Sequence, residues 1–160
     1  MGQSSPITKS GYKVIEEELS VLIKVDREEI KIAIAEAREL GDLKENAEYH
    51  SAKEKQALIE GRISQLQAVV ANSTVIDPST IESEKIVFGA KVTLLDTEKD
   101  QTVIYQIVGE DESDTKKGRI SFKSPLGKAL IGKKEGDSVT FRAPKGEIEF
   151  EVESFEFPKD

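Results

Sequence analysis

The chain has 160 residues and a formal net charge of −8 at pH 7. This charge argues against a general nucleic-acid binder, because such proteins carry a basic face that neutralises phosphates. There is no cysteine and only one histidine, His50, which excludes disulfides, thiolate metal sites and histidine-rich metal sites. No apolar run approaches the ~20 residues that span a bilayer. We therefore expect a cytoplasmic protein of one or two small domains, without a membrane partner.

The first half contains two series of seam residues that mirror each other. Each series advances in alternating steps of three and four residues, which is the spacing of one stripe along a heptad helix. Paired in order, the position numbers sum to 89, except for Leu22 with Leu66, which sum to 88. The pattern predicts a long antiparallel helical hairpin that folds between residues 44 and 45. The forward series is Tyr49, Ala52, Gln56, Ile59, Ile63, Leu66 and Val70, and the reverse series is Leu40, Ala37, Ala33, Ile30, Asp26, Leu22 and Leu19.

Capping signals set the predicted limits of the two arms. Thr8 is a suitable N-cap for a first helix that begins at residue 9 or 12 and ends at residue 40. Gly41 fits the left-handed position that ends a helix, and Asp42 fits the N-cap of a second helix over about residues 43–71. Arms of this length project on the order of 40 Å.

The helical pattern stops at residues 72–80, where we place a boundary between domains 1–77 and 78–160. Beyond it the hydrophobic period changes to two, which is typical of strands. Ser124 as N-cap and Pro125 at the first helical position predict one short helix, which Gly132 ends. The fold class is therefore α+β, with a helical hairpin followed by a small antiparallel sheet that carries one helix. The predicted strands are Ile86–Leu95, Thr102–Val108, Arg119–Phe122, Ser138–Arg142 and Glu147–Phe157, with Ile148, Phe150, Val152 and either Phe155 or Phe157 inward in the last.

The predicted tip of the hairpin is acidic. Asp42 and Glu45 lie between the arms, and Glu48 lies one turn further on. The ordinary interpretation is a capping box, because Asp-x-x-Glu is a common helix start and carboxylates are favoured at a helix N-terminus. The second hypothesis is a pair of metal ligands delivered to a site on another macromolecule, since two exposed carboxylates alone hold Mg²⁺ weakly. The spacing leaves both interpretations open.

Two ring residues follow the acidic pair. The seam register places Tyr49 opposite Leu40, where its ring would close the last layer of the hairpin. His50 falls just outside the seam, and we expect a solvated surface residue there.

A basic stretch stands out in the otherwise acidic second half. Seven basic residues and no acidic residue occur between Lys116 and Lys134. The stretch is either a solvated segment balanced by the acidic residues at 110–114 or a docking surface for a partner, and the charge pattern does not choose between them.

The segment Gly41–His50 resembles the signature of the Gre family of bacterial transcript cleavage factors. The resemblance covers nearly the whole chain. It includes the opening Pro6–Tyr12, the stretch Ala33–Leu40 before the tip, and Ser124–Gly132 and Gly146–Val152 in the second half. The tip motif is the most specific of these segments.

The resemblance implies a coiled-coil N-terminal domain and an FKBP-like C-terminal domain. It implies that the coiled coil enters the secondary channel of bacterial RNA polymerase. There Asp42 and Glu45 would help to hold a catalytic Mg²⁺ of the polymerase, so that the polymerase cleaves its own backtracked RNA. The chain would then not be an enzyme, would hold no cofactor alone, and would meet the nascent RNA 3′ end only indirectly.

The resemblance also assigns supporting residues. Residues that support the tip would be Gly41, Lys44, Asn46, Glu48 and Tyr49. Ser124 and Pro125 would lie where the family contacts the polymerase outside the channel, and we expect Lys123 and Lys128 of the basic stretch to be part of that docking surface.

Two other functions stay open at this point. The chain could regulate or inhibit through the secondary channel without stimulating cleavage, or it could be an FKBP-like peptide-binding module. We expect a monomer in each case.

Overall fold

Residues 4–159 are described in a computed structural model of the chain. They divide into a sheet unit, residues 4–12 with 73–159, and a helical unit, Lys13–Asn72. The division differs from the predicted one at 77–78, because the N-terminal segment and residues 73–77 belong to the sheet unit. None of the helices within residues 4–159 is both long and apolar enough to cross a bilayer.

The first arm consists of three consecutive helical segments. Helix α1 (Lys9–Val21) leads into a π-helical turn (Leu22–Asp26), and α2 (Arg27–Glu39) follows. The prediction of one uninterrupted α-helix to Leu40 is therefore wrong, because a π-helical turn spaces its hydrogen bonds one residue wider. The predicted N-cap is confirmed, since Gly11 N donates to Thr8 Oγ1 at 3.1 Å.

The second arm is α3 (Ala47–Asn72), which packs against α2 in the opposite chain direction. Ile30, Ile34 and Ala52 form a buried cluster between them, with Ala33, Tyr49 and Ile59 packed around it. Two ion pairs also cross between the arms: Arg27 to Glu60 at 2.8 Å and Arg62 to Glu18 at 2.6 Å. Hydrogen bonds from the two arginines lower the pKa of Glu60 and of Glu18.

Burial agrees with the predicted seam at every position except one. All seven predicted positions of α3 are buried or half-buried, and so are six of the seven in the first arm. Leu40 is the exception, with 67% of its surface exposed. Tyr49 packs on the cluster of Ile30, Ile34 and Ala52, and α2 ends at Glu39 with Leu40 as its C-cap. Ile34, which the narrow stripe omits, is buried, as expected of a helix with a broader apolar face.

The sheet unit contains a five-stranded sheet in the order β5-β4-β3-β7-β6. Its pairs are antiparallel except β4 with β5, which run parallel, so the prediction of a wholly antiparallel sheet is wrong. Two 3₁₀ turns, Glu110–Glu112 and Thr115–Lys117, carry the chain from β4 to β5, whereas an antiparallel partner could follow a tight turn. The strands are β3 (Lys91–Asp96), β4 (Gln101–Val108), β5 (Arg119–Ser121), β6 (Ser138–Ala143) and β7 (Gly146–Glu156).

The hydrophobic core lies between one face of this sheet and helix α4 (Pro125–Leu130). In β7, Phe150 and Val152 are buried as predicted. The register with β3 then shifts, since Thr93 pairs with Ser154 and Leu94 with Val152. The extra residue is a β-bulge that returns Phe155 to the inner side. The fully buried members of the core are Ile86, Ala90, Val92, Leu94, Ile107, Leu130 and Val152.

The first strand of this sheet begins later than predicted. Strand β3 starts at Lys91 rather than Ile86. Ile86 is buried, but its backbone bonds to the loop after α4: its N–H donates to Lys133 O, and its carbonyl accepts from Gly132 N. Gly89, with φ of +92°, then turns the chain into the strand.

The sheet unit also contains a parallel pair that was not predicted. Strand β1 (Ser5–Thr8) pairs with β2 (Ser73–Ile76), 68 residues apart in register. The buried Thr8 backbone and hydroxyl both donate to Glu112, whose side chain is 3% exposed and pairs with Arg119 at 2.6 Å. One member of the basic stretch is thus part of a buried polar cluster that fixes β1 to the sheet.

Candidate functional site

The tip comprises residues 40–46, between the last residue of α2 and the first of α3. Gly41 has φ of +129° and no atom near the position a Cβ would take, so conformation rather than space requires glycine here. Residues 41–45 are all exposed. The tip is therefore a short solvent-facing turn held at both ends by helices.

Asn46, rather than Asp42, caps the second arm. Its Oδ1 accepts from Tyr49 N at 3.0 Å and its carbonyl accepts from His50 N at 3.1 Å. Its Nδ2 donates to the carbonyl of Ala37 in α2 at 2.5 Å. This side chain satisfies groups at the end of one helix and at the start of the next. The capping-box interpretation of Asp42 and Glu45 is therefore wrong, and α3 begins four residues later than predicted.

The two tip carboxylates have few partners. Asp42 Oδ1 accepts from Lys44 N at 3.0 Å in an Asx turn. Among residues 4–159, Glu45 has no hydrogen bond or ion pair, and neither has the second oxygen of Asp42. At least three carboxylate oxygens of the pair are thus open to a cation or a donor from outside the chain.

His50 supports the tip, a role that the prediction of a solvated surface residue did not include. The residue is exposed, as expected, but its Nε2 lies 3.1 Å from the carbonyl of Lys44. Its ring meets that of Tyr49 edge-on, with 5.6 Å between centroids. The guanidinium of Arg38 lies over the Tyr49 ring, 5.8 Å from its centroid. The signal was present in the order of residues, since position 50 lies on the first turn of a helix that directly follows the tip.

The chemistry of the tip fits a contribution to a hard-cation site. Carboxylate oxygens are ligands that Mg²⁺ prefers. Neither Asp42 nor Glu45 caps the positive N-terminus of α3, so their negative charge remains available to a cation. No cluster of three or more histidine, aspartate or glutamate side chains within residues 4–159 could hold a metal ion. Glu48, in the first turn of α3, instead lines a shallow groove with Ala47, Ser51 and Lys55.

The second predicted site lies ahead of α4 in the sheet unit. Ser124 caps the helix as predicted, because its Oγ accepts from Gly127 N at 3.0 Å and donates to Ser121 O at 2.7 Å. Pro125 occupies the first helical position and is exposed. A Cβ on Gly127, in the first turn of α4, would lie 2.3 Å from Ser121 O, so the close approach of α4 to the preceding loop requires glycine here.

The basic stretch is partly balanced by the preceding acidic segment. Lys123 pairs with Glu110 at 3.4 Å, and Arg119 pairs with Glu112. Lys128 is exposed on α4 and, within the described part of the chain, has no ion pair. The structure brings Lys123, Ser124, Pro125 and Lys128 together on one loop and helix, and the tip residues together in the other unit.

Comparisons with known proteins match both halves of the chain. A family model described as "Transcription elongation factor, N-terminal" matches residues 5–75, and one described as "Transcription elongation factor, GreA/GreB, C-term" matches residues 81–157.

Curated relatives extend over nearly the full chain. A protein of Thermodesulfovibrio yellowstonii named transcription elongation factor GreA is 52% identical over 152 residues, which are 95% of this chain and 96% of the relative. The protein of the same name from Pseudomonas aeruginosa is 52% identical over 148 residues, 92% of this chain and 94% of the relative.

A solved structure of the transcription factor Gfh1 is 28% identical and covers 97% of this chain and 99% of its own, with a TM-score of 0.47. The family assignment rests on the sequence matches rather than on this superposition. The chain belongs to the GreA/GreB family of transcription elongation factors.

Proposed function

We propose that the protein is a transcription elongation factor that binds bacterial RNA polymerase and stimulates the polymerase to cleave its own backtracked RNA. In this proposal the two helical arms form a coiled coil that enters the secondary channel, and the sheet unit docks outside it. The chain contributes ligands and is not itself the catalyst. Membership of the GreA/GreB family favours this function over a peptide-binding module.

The observation that carries the proposal is the state of the tip carboxylates. Asp42 and Glu45 are exposed on the same short turn and almost without partners, although Asn46 already caps the helix. A structural role as helix cap therefore does not account for them. Unsatisfied carboxylates at a projecting turn are suited to complete a cation site whose other ligands lie on the partner.

Each part of the tip then has a role. Gly41 permits the turn, Asn46 fixes the two helix ends relative to each other, and His50 holds the Lys44 carbonyl. These residues orient Asp42 and Glu45 without consuming their oxygens. A Mg²⁺ ion at such a site supplies Lewis-acid stabilisation and orients an attacking water. The carboxylates of this chain add negative ligands, which raise the affinity for that ion.

RNA cleavage in stalled, backtracked elongation complexes tests the proposal. We expect rapid release of 3′ fragments with the wild-type protein and a loss of at least about 100-fold with Asp42→Asn/Glu45→Gln. Glu54→Gln is the matched control, because Glu54 is exposed on α3 away from the tip. Binding is measured in parallel by competition with labelled wild-type protein.

Two outcomes would contradict the proposal. Normal cleavage by the double variant would remove the carboxylates from the mechanism. Binding without cleavage by the wild-type protein would identify a channel regulator instead.

A further inference from the structure

The two tip carboxylates are held in different ways. Asp42 restrains its own side chain, because its Oδ1 accepts from Lys44 N at 3.0 Å. Within residues 4–159, the carboxylate of Glu45 has no hydrogen bond and no ion pair. The direction in which Glu45 presents its carboxylate therefore depends on the backbone that carries it.

The peptide unit before Glu45 is held by a side chain of α3. His50 Nε2 lies 3.1 Å from the carbonyl oxygen of Lys44. A carbonyl oxygen only accepts, so this contact assigns a proton to Nε2 of the ring. The Lys44 carbonyl and the Glu45 N–H belong to one planar peptide unit. A hydrogen bond to that carbonyl therefore restrains rotation of the whole unit, which ends at the Cα of Glu45.

His50 is itself attached to the helical seam rather than to the exposed turn. Its N–H donates to Asn46 O at 3.1 Å within the first turn of the arm. Its ring meets the Tyr49 ring edge-on, with 5.6 Å between centroids, and Tyr49 packs on the buried cluster between the arms. A side chain whose own position is fixed by packing is a suitable support for a functional group.

We propose that His50 is the positioning residue of Glu45. Through the Lys44 carbonyl it fixes the peptide unit that carries Glu45, so that the unpartnered carboxylate points in one direction. Asp42 has its own bond to Lys44 N and does not depend on His50. This inference rests on the function proposed above, and it gives the two ligands of the tip separate supports.

Two substitutions separate the hydrogen bond of His50 from its ring. His50→Phe keeps a ring against Tyr49 and removes the donor, whereas His50→Gln removes the ring and keeps an amide N–H donor. In backtracked elongation complexes, His50→Phe should raise the Mg²⁺ concentration for half-maximal cleavage at least about threefold. His50→Gln should stay close to the wild type. The opposite ranking would identify a packing role for the ring and overturn the proposal.

A double-variant cycle identifies which carboxylate His50 serves. His50→Phe should have little further effect when Glu45→Gln is already present, because the group that it positions is gone. It should keep its full effect beside Asp42→Asn, since independent supports act additively. Polymerase affinity, measured by competition, should be unchanged in every variant. Equal effects of His50→Phe in the two backgrounds would overturn the assignment to Glu45.

A measurement on the free protein separates this inference from the proposed function. The ¹⁵N order parameter of the Glu45 N–H reports on the same peptide unit that His50 holds. It should lie near the rigid value of about 0.85 in the wild type and in His50→Gln, and fall towards about 0.6 in His50→Phe. An unchanged value in His50→Phe would overturn the positioning role, even if the protein stimulates cleavage. A lowered value, with a wild type that binds polymerase but stimulates no cleavage, would support the positioning role and contradict only the proposed function.

Discussion

The tip between α2 and α3 and the loop ahead of α4 are both helix starts, yet they use their capping residues differently. At α4, Ser124 caps the helix and also bonds back to Ser121, so its oxygen is consumed by the fold. At the tip, Asn46 takes the capping role and leaves Asp42 and Glu45 nearly unpartnered. A helix start can thus be built either to satisfy its polar groups or to display some of them.

The start of α4 should be the more sensitive of the two helix starts to a change in packing. Gly127→Ala places a Cβ 2.3 Å from Ser121 O, and the backbone must move to relieve this clash. We expect a loss of about 2 to 4 kcal/mol in the free energy of unfolding, measured by chemical denaturation of the full chain.

Gly61→Ala provides the matched control for Gly127→Ala. Gly61 lies on α3 with no atom within 4 Å of the new Cβ, and alanine is the better helix former. This variant should be as stable as the wild type or more so. Equal losses in the two variants would contradict the close approach described for Gly127.

Removing the helix cap at the tip should lower the free energy of unfolding by less than Gly127→Ala does. Asn46→Ala removes the bonds to Tyr49 N and to the Ala37 carbonyl, and we expect a loss of about 1 to 2 kcal/mol. Amide hydrogen exchange should speed up at Tyr49 and His50, in the first turn of α3. Asp42→Ala removes only the Asx bond to Lys44 N, so its effect at these amides should be smaller. The reverse order would restore Asp42 as the cap.

Local signals predicted the loop of α4 better than the tip. Ser124 is followed directly by Pro125, and proline at the first helical position leaves a single choice of cap. At the tip, Asp42 and Asn46 are both good caps four residues apart. Asn46 is favoured as the cap because its side chain also donates to the carbonyl of Ala37, nine residues earlier. Rules for helix caps consider only neighbouring residues and do not include that contact.

The same division holds for the rest of the fold. The seam of α3 and the strands β4 and β6 follow from short-range periodicity, and the structure confirms them. The pairing of β1 with β2 and the parallel pairing of β5 join segments that no local pattern connects. In the sequence, the one sign of the π-helical turn is the pair of Leu22 with Leu66, whose position numbers sum to 88 rather than 89.

Acid should weaken the helical unit slightly through its ion pairs. The pKa of Glu18 and of Glu60 is lowered by Arg62 and Arg27, from an ordinary value of 4.5. A carboxyl group with a lowered folded pKa stabilises the fold above its unfolded pKa, and this stabilisation is lost as the pH falls through the folded pKa. The midpoint temperature of thermal unfolding should therefore decrease as the pH is lowered from about 5 to about 3. This loss of stability should be smaller than the losses expected for Gly127→Ala and Asn46→Ala, because both ion pairs are exposed to solvent.

Arg27→Gln checks this assignment. Without the guanidinium, the pKa of Glu60 returns towards its ordinary value, so the variant should be less stable at pH 7 and should lose less on acidification. A wild type and a variant with parallel pH profiles would show that the ion pair does not contribute.

The most direct test of the central claim is the dependence of RNA cleavage on Mg²⁺ concentration in a backtracked elongation complex. If Asp42 and Glu45 provide ligands, Asp42→Asn and Glu45→Gln should each raise the Mg²⁺ concentration needed for half-maximal cleavage at least about tenfold. The affinity for polymerase and the response of Glu54→Gln should stay as in the wild type. An unchanged Mg²⁺ dependence, with cleavage reduced only in proportion to weaker binding, would contradict the account and make the acidic pair part of a docking surface.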